Sequence, residues 1–227
     1  MALLKGLDPR DAGLTALDTE GNEGEILRDM DRTFPRLTSF ADPDDHGQRI
    51  LANVLLACKN YHPSVGYCQG MNCVAAILIM AAFDYKPKVR DQLYEATKTS
   101  DITGSASQHM GLFSLIFDLF ARFLLAFKIN TKNLHKEESV FWTLAAFIAT
   151  LHGGMRGLWS PGVPLLPLCI FQFSLLLGEH LPDLHAHFKR IGLSLDFFVS
   201  QWFLTLYSYT LPMHLVVQVW NVFITDG

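Results

Sequence analysis

Apolar residues return every three or four positions through most of this chain, and that period restricts the fold before any motif is considered. Ile50, Leu51, Val54, Leu55 and Cys58 share one side of a helix, and so do Val140, Phe141, Leu144, Phe147, Ile148 and Leu151. The same reading predicts further helices over 71–83, 112–127, 168–177, 196–210 and 213–224. Hardly any segment alternates apolar and polar residues with period two, and no Asn-Gly or Asp-Gly turn joins two β-rich runs. The expected fold is all-α, a multi-helix domain with no significant sheet. Breaks are expected at 41–47, 62–66, 97–111 and 153–167, where Gly, Pro, Ser and Asp gather. No internal repeat of fixed period is visible.

Half of the 227 residues are hydrophobic and only 18% are charged, so a membrane protein has to be weighed against a buried helical core. Segments 157–178 and 197–225 hold no Asp, Glu, Lys or Arg. Yet Pro161, Pro164 and Pro167 interrupt the first, and Gln201, Pro212, His214, Gln218 and Asn221 interrupt the second, so neither is a continuous apolar span. A soluble core is the preferred reading. A net charge of -4 and a pI near 6.1 supply no basic field for phosphates, and nucleic acid is discounted as a partner. Cys58, Cys68, Cys73 and Cys169 form no C-x-x-C pair and lie in or beside apolar segments, as reduced buried thiols do, which points to a cytoplasmic setting. Residues 1–10 carry no secretory signal.

Two polar constellations stand out against this background. In Ile26-Leu27-Arg28-Asp29-Met30-Asp31-Arg32-Thr33-Phe34-Pro35, residues Ile26, Asp29 and Arg32 are spaced three apart. On a helix they share one side, so the isoleucine can anchor while the carboxylate holds the guanidinium. Pro35 disfavours helix at Phe34 and is expected to end the helix just beyond the arginine. The alternative is an ordinary exposed Asp-Arg pair, worth little to stability. The second constellation, Tyr67-Cys68-Gln69-Gly70-Met71-Asn72, lies between the helix expected to end near Tyr61 and the one beginning near Met71. Gln69 is therefore placed on a loop or first helical turn, where its amide, donor at one end and acceptor at the other, can orient a water molecule. A helix-capping polar turn is the competing reading.

Other chemistry is weaker. Gly66-Tyr67-Cys68-Gln69-Gly70 has the spacing of a nucleophile elbow with cysteine in the serine position, which makes a cysteine hydrolase using Cys68 a remote alternative. That elbow requires a preceding strand, and 50–59 has helical period instead. There is no G-x-x-x-x-G-K-[ST]. His180, His185 and His187 lie close in sequence without H-E-x-x-H or cysteine companions, so a solvated turn around Pro182 is expected and no metal is assigned. Gly153, Gly154 and Gly157 follow no strand, and no dinucleotide site is assigned.

Taken together, the two polar motifs resemble the signature motifs of TBC domains, the GTPase-activating domains for Rab GTPases. The likeness continues in Glu137-Glu138-Ser139-Val140-Phe141-Trp142, in Gln201-Trp202-Phe203-Leu204-Thr205-Leu206-Tyr207, and in Leu211-Pro212 followed by Val219-Trp220-Asn221-Val222-Phe223. These blocks occur in the family's order and span most of the chain. The resemblance implies that Arg32 and Gln69 are catalytic fingers acting in trans on a GTP-bound Rab. Ile26, Asp29, Thr33, Pro35, Tyr67, Gly70 and Asn72 would be supporting or Rab-contacting residues, with Asp29 holding the Arg32 rotamer and Tyr67 and Asn72 shaping the glutamine loop. It implies no cofactor belonging to this chain, since Mg²⁺ and GTP come with the Rab, and a role in vesicle trafficking at endomembranes. A Rab-binding scaffold without acceleration is the second reading.

Departures from the pattern set the expected organisation. Residues 1–25 lack the family's opening tryptophan segment and are expected to be irregular, with the domain over 26–227. Residues 84–136 form a long insertion whose apolar helix 112–127 pairs Asp118 with Arg122; it is read as an extra packed helix, with a partner or membrane-surface contact as the sharper alternative. The chain ends at Gly227, where the resemblance leads one to expect further helices, so exposed apolar surface is anticipated.

Overall fold

The computed structural model describes residues 22–35, 40, 46–83, 135–149 and 155–225. The expected helix over 112–127, its Asp118 and Arg122 and nearly all of the insertion lie outside these residues. Among the described residues every regular element is a helix: α1 (Asn22–Met30), α2 (His46–Tyr61), α3 (Met71–Ala82), α4 (Lys136–Ala149), α5 (Arg156–Trp159), α6 (Leu166–His180), α7 (Pro182–Arg190), α8 (Asp196–Leu204) and α9 (Met213–Thr225). None of them is long and apolar enough to cross a membrane.

α3 is the centre of the fold. All twelve of its residues are buried, as an all-round apolar helix requires, and α1, α2 and α4 pack around it. Ala75, Ala76, Ala81 and Ala82 let those neighbours come close. α2 turns its predicted stripe, Ile50, Leu51, Val54, Leu55 and Cys58, into this core. Phe147 of α4 lies beside Trp159 of α5 and Trp220 of α9, with ring centroids 6.3 and 6.0 Å away. Both tryptophans are only 1% exposed, so this aromatic hub ties the last helix to α4 and through it to the core around α3.

The second half is thinner. α6 packs against α7 and α8, and Phe173, Phe198 and Trp202 meet edge-on between α6 and α8. Leu168, Phe171, Leu175 and Phe197 nevertheless stay exposed.

Several boundaries differ from those expected. α1 begins at Asn22, inside the segment expected to be irregular, and the exposed Glu25 near its start suits the helix dipole. α7 replaces the expected turn: Pro182 opens the helix with its φ already set, and Asp183 at the start with Lys189 and Arg190 at the end suits the helix dipole. The four-residue α5 interrupts the expected break over 153–167. α8 stops at Leu204, short of residue 210, because Leu206 and Tyr207 adopt left-handed φ values of 48° and 63°.

Candidate functional site

The arginine-bearing turn is built at the end of α1. The helix stops at Met30, so Arg32 stands on the following turn and not on the helix, as its spacing had suggested. The Thr33 N–H donates to the Met30 carbonyl at 3.0 Å and the Thr33 hydroxyl to the Asp29 carbonyl at 2.6 Å. These bonds satisfy carbonyls that a helix end leaves orphaned. Phe34 then takes φ 45°, a left-handed conformation that departs from the extended one the following Pro35 favours. Such a φ costs a bulky residue about 1–3 kcal/mol. Burying the Phe34 ring, only 6% exposed, returns roughly 1.5–3 kcal/mol, so the turn is held by its core anchor.

Asp29 is the hub of the site. Its residue is 2% exposed, and its Oδ1 accepts from Arg32 Nε at 2.8 Å and also from Arg32 Nη2. Oδ2 accepts from the Tyr67 hydroxyl at 2.6 Å. A second branch runs from the Asp29 carbonyl through Thr33 Oγ1 to Asn72: Asn72 Nδ2 donates to Thr33 Oγ1 at 2.7 Å, and Asn72 Oδ1 accepts the Gly70 N–H at 2.9 Å. Two hydrogen-bonded bridges therefore join the arginine turn to the glutamine turn. Tyr67, Thr33 and Asn72 are buried, so each bond is shielded from water and costly to leave unmade.

The finger candidates themselves point outward. The Arg32 side chain is 61% exposed, with Asp29 taking two of its five N–H donors. The Asp29 hydrogen bond, then its charge, raises the Arg32 pKa above the ordinary value, so the guanidinium stays cationic. Gln69 is exposed on the turn that opens α3. Ile26 is fully buried beneath the site, whereas Pro35 is exposed at the end of the turn.

Gly70 fixes how Gln69 enters α3. It caps the helix at φ 110°, and a Cβ added there would lie 2.3 Å from the Leu204 carbonyl oxygen. Both the conformation and the close approach require glycine. Gly70→Ala is expected to lower stability by about 2–4 kcal/mol, combining backbone strain with a backbone clash. Thermal unfolding checks this; an unshifted Tm would show that α8 moves aside freely.

Cys68 is unsuited to nucleophilic chemistry. Burial, then the charges of Glu25 and Asp29, push its thiol up to about 11, so it remains protonated near neutral pH. Its S–H donates weakly to the Gln69 carbonyl at 3.6 Å. The segment before it is α2 and a turn, so the strand of a nucleophile elbow is missing there. Burial, then Asp29, likewise raises the Tyr67 pKa, which keeps its hydroxyl a donor to Asp29.

His180, His185 and His187 do not converge. His185 Nε2 lies 3.3 Å from Ser174 Oγ and His187 Nδ1 lies 2.8 Å from Arg190 Nη2. Among the described residues no three His, Cys, Asp or Glu side chains are grouped to hold a metal ion.

The geometry thus defines an all-helical domain that displays an arginine and a glutamine from two hydrogen-bonded turns. The chain belongs to the Rab-GTPase-TBC domain family, whose model matches residues 12–227. It is 27% identical over 92% of its length to the Ecotropic viral integration site 5 ortholog of Drosophila melanogaster. It is 25% identical over 90% to Rab GTPase-activating protein eat-17 of Caenorhabditis elegans, and 30% identical over 97% to TBC1 domain family member 14 of Bos taurus. The chain spans 19%, 17% and 24% of those relatives.

Spacing singles out Ile26, Asp29 and Arg32, Gly70 reads as a turn residue, and the resemblance supplies Thr33, Tyr67 and Asn72. Trp159, whose indole N–H donates to the Leu204 carbonyl behind Gly70, was not foreseen. Its only signal in the sequence is that a buried tryptophan needs an N–H acceptor.

Proposed function

We propose that this chain accelerates GTP hydrolysis by a GTP-bound Rab-type small GTPase, contributing Arg32 and Gln69 in trans. Mg²⁺ and the nucleotide are carried by the Rab. Arg32 places its remaining N–H donors and its positive charge against the oxygens of the transferring phosphoryl group, where charge redistributes in the transition state. Gln69 orients the attacking water, accepting from it while its amide N–H₂ stays free to bond the partner. Asp29 limits the rotamers Arg32 explores, so less orientational freedom is lost at docking.

The observation that carries this reading is the pair of bridges through Asp29–Tyr67 and Thr33–Asn72, which hold the two exposed side chains on one support. Family membership and the name of the eat-17 relative add to it. The setting that goes with a Rab partner is the cytoplasmic surface of an endomembrane, reached as a peripheral protein.

Single-turnover phosphate release across a panel of GTP-loaded Rabs tests the proposal. Acceleration of at least one Rab is expected. A Rab that binds tightly without faster hydrolysis, with none accelerated, would instead make the chain a Rab-binding scaffold.

A further inference from the structure

The C-terminus of α8 lies directly behind the glutamine turn. The Leu204 carbonyl belongs to the last residue of that helix, where no further helical turn supplies donors. Trp159 Nε1 donates to it at 3.0 Å. Gly70 presses on the same oxygen closely enough that no side chain fits between them. The chain then turns through left-handed Leu206 and Tyr207, and Trp220 Nε1 donates to the Leu206 carbonyl at 2.8 Å. Two tryptophans packed on Phe147, Trp159 stacked and Trp220 tilted, therefore pin the two carbonyls that fix where α8 ends.

We infer that Trp159 is a positioning residue for Gln69, acting through the Leu204 carbonyl and Gly70. Gly70 is held on one side by Asn72 Oδ1 and on the other by the Leu204 oxygen. Asn72 belongs to the arginine platform, whereas the Leu204 oxygen is placed by Trp159. Without the indole N–H, the carbonyl is free to tilt, Gly70 loses its rear wall, and Gln69 no longer enters from a fixed direction. The second half of the fold thereby sets the glutamine finger, while Asp29 sets the arginine finger.

Trp159→Phe removes the N–H and keeps a ring against Phe147. The first measurement is amide exchange in the protein alone. Faster exchange over 66–72 with unchanged exchange in α2 is expected, and unchanged exchange over 66–72 would overturn the inference whether or not any Rab responds. The second rests on the Rab-activating reading. On a responsive Rab, Trp159→Phe is expected to lower kcat about ten- to a hundred-fold at unaltered KM, the scale of a small misplacement of a reacting group. Combined with Gln69→Ala it should cost nothing beyond Gln69→Ala alone, since both act on one group. Losses that multiply in the double variant, or an unaltered kcat, would contradict it. If Phe unsettles the domain, Trp159→His, which returns a ring N–H, is expected to restore slow exchange over 66–72; failure to do so would count against the N–H.

Discussion

Arg32→Ala is expected to reduce acceleration of a responsive Rab by roughly 10³- to 10⁵-fold, the range an arginine finger supplies. That corresponds to about 4–7 kcal/mol of barrier. Stability should fall by about 1–3 kcal/mol, because the arginine side chain is 61% exposed but the Asp29 side chain only 4%, and the variant leaves that buried carboxylate with the Tyr67 hydroxyl as its side-chain donor. Arg32→Lys should not restore activity, because an ammonium lacks the planar fork that bonds Asp29 through Nε and Nη2 while facing a phosphoryl group. Single-turnover phosphate release together with Rab binding checks the assignment. Wild-type acceleration by the alanine variant would remove Arg32 from the chemistry.

Asp29→Ala should be damaging in two separate ways. It leaves the buried Tyr67 hydroxyl without its acceptor and opens space beneath the site, for a combined cost of about 2–4 kcal/mol. For a chain of this length that is a fall of about 5–15 °C in Tm. It also frees Arg32 to sample rotamers that face away from a docked partner, so acceleration should fall even in the folded fraction. Asp29→Asn separates these effects. The amide oxygen can still accept from Tyr67, but the charge that clamps the guanidinium is gone. The asparagine variant is expected to recover most of the Tm while remaining slow in phosphate release. Equal recovery of both would mean that Asp29 acts only on folding.

The helices were legible where burial is one-sided or complete. The stripe from Ile50 to Cys58 and the apolar run opening at Met71 became α2 and α3 because each fills a continuous face of the core. Boundaries were harder, since they depend on bonds that hydrophobic period does not record. The Thr33 hydroxyl ends α1 ahead of Arg32, and Trp220 supports the left-handed turn that follows α8. α7 was missed for a related reason: none of its residues is buried, so termini, not a core face, define it.

Within the site, the spacing of Asp29 and Arg32 predicted their pairing even though the helix between them ends early. Contacts bridging 38 and 39 residues, Tyr67 to Asp29 and Asn72 to Thr33, could not be read from spacing at all. Gly70 was legible as a turn residue, but the Leu204 carbonyl against it was not, because that close approach depends on how α8 folds back.

The most direct test of two fingers acting in trans uses a responsive Rab whose own water-orienting glutamine has been replaced by leucine. With Gln69 orienting the water, the wild-type chain should still accelerate hydrolysis by that Rab, and Gln69→Ala should not. Acceleration that disappears with the Rab's glutamine, or that survives Gln69→Ala undiminished, would contradict the mechanism.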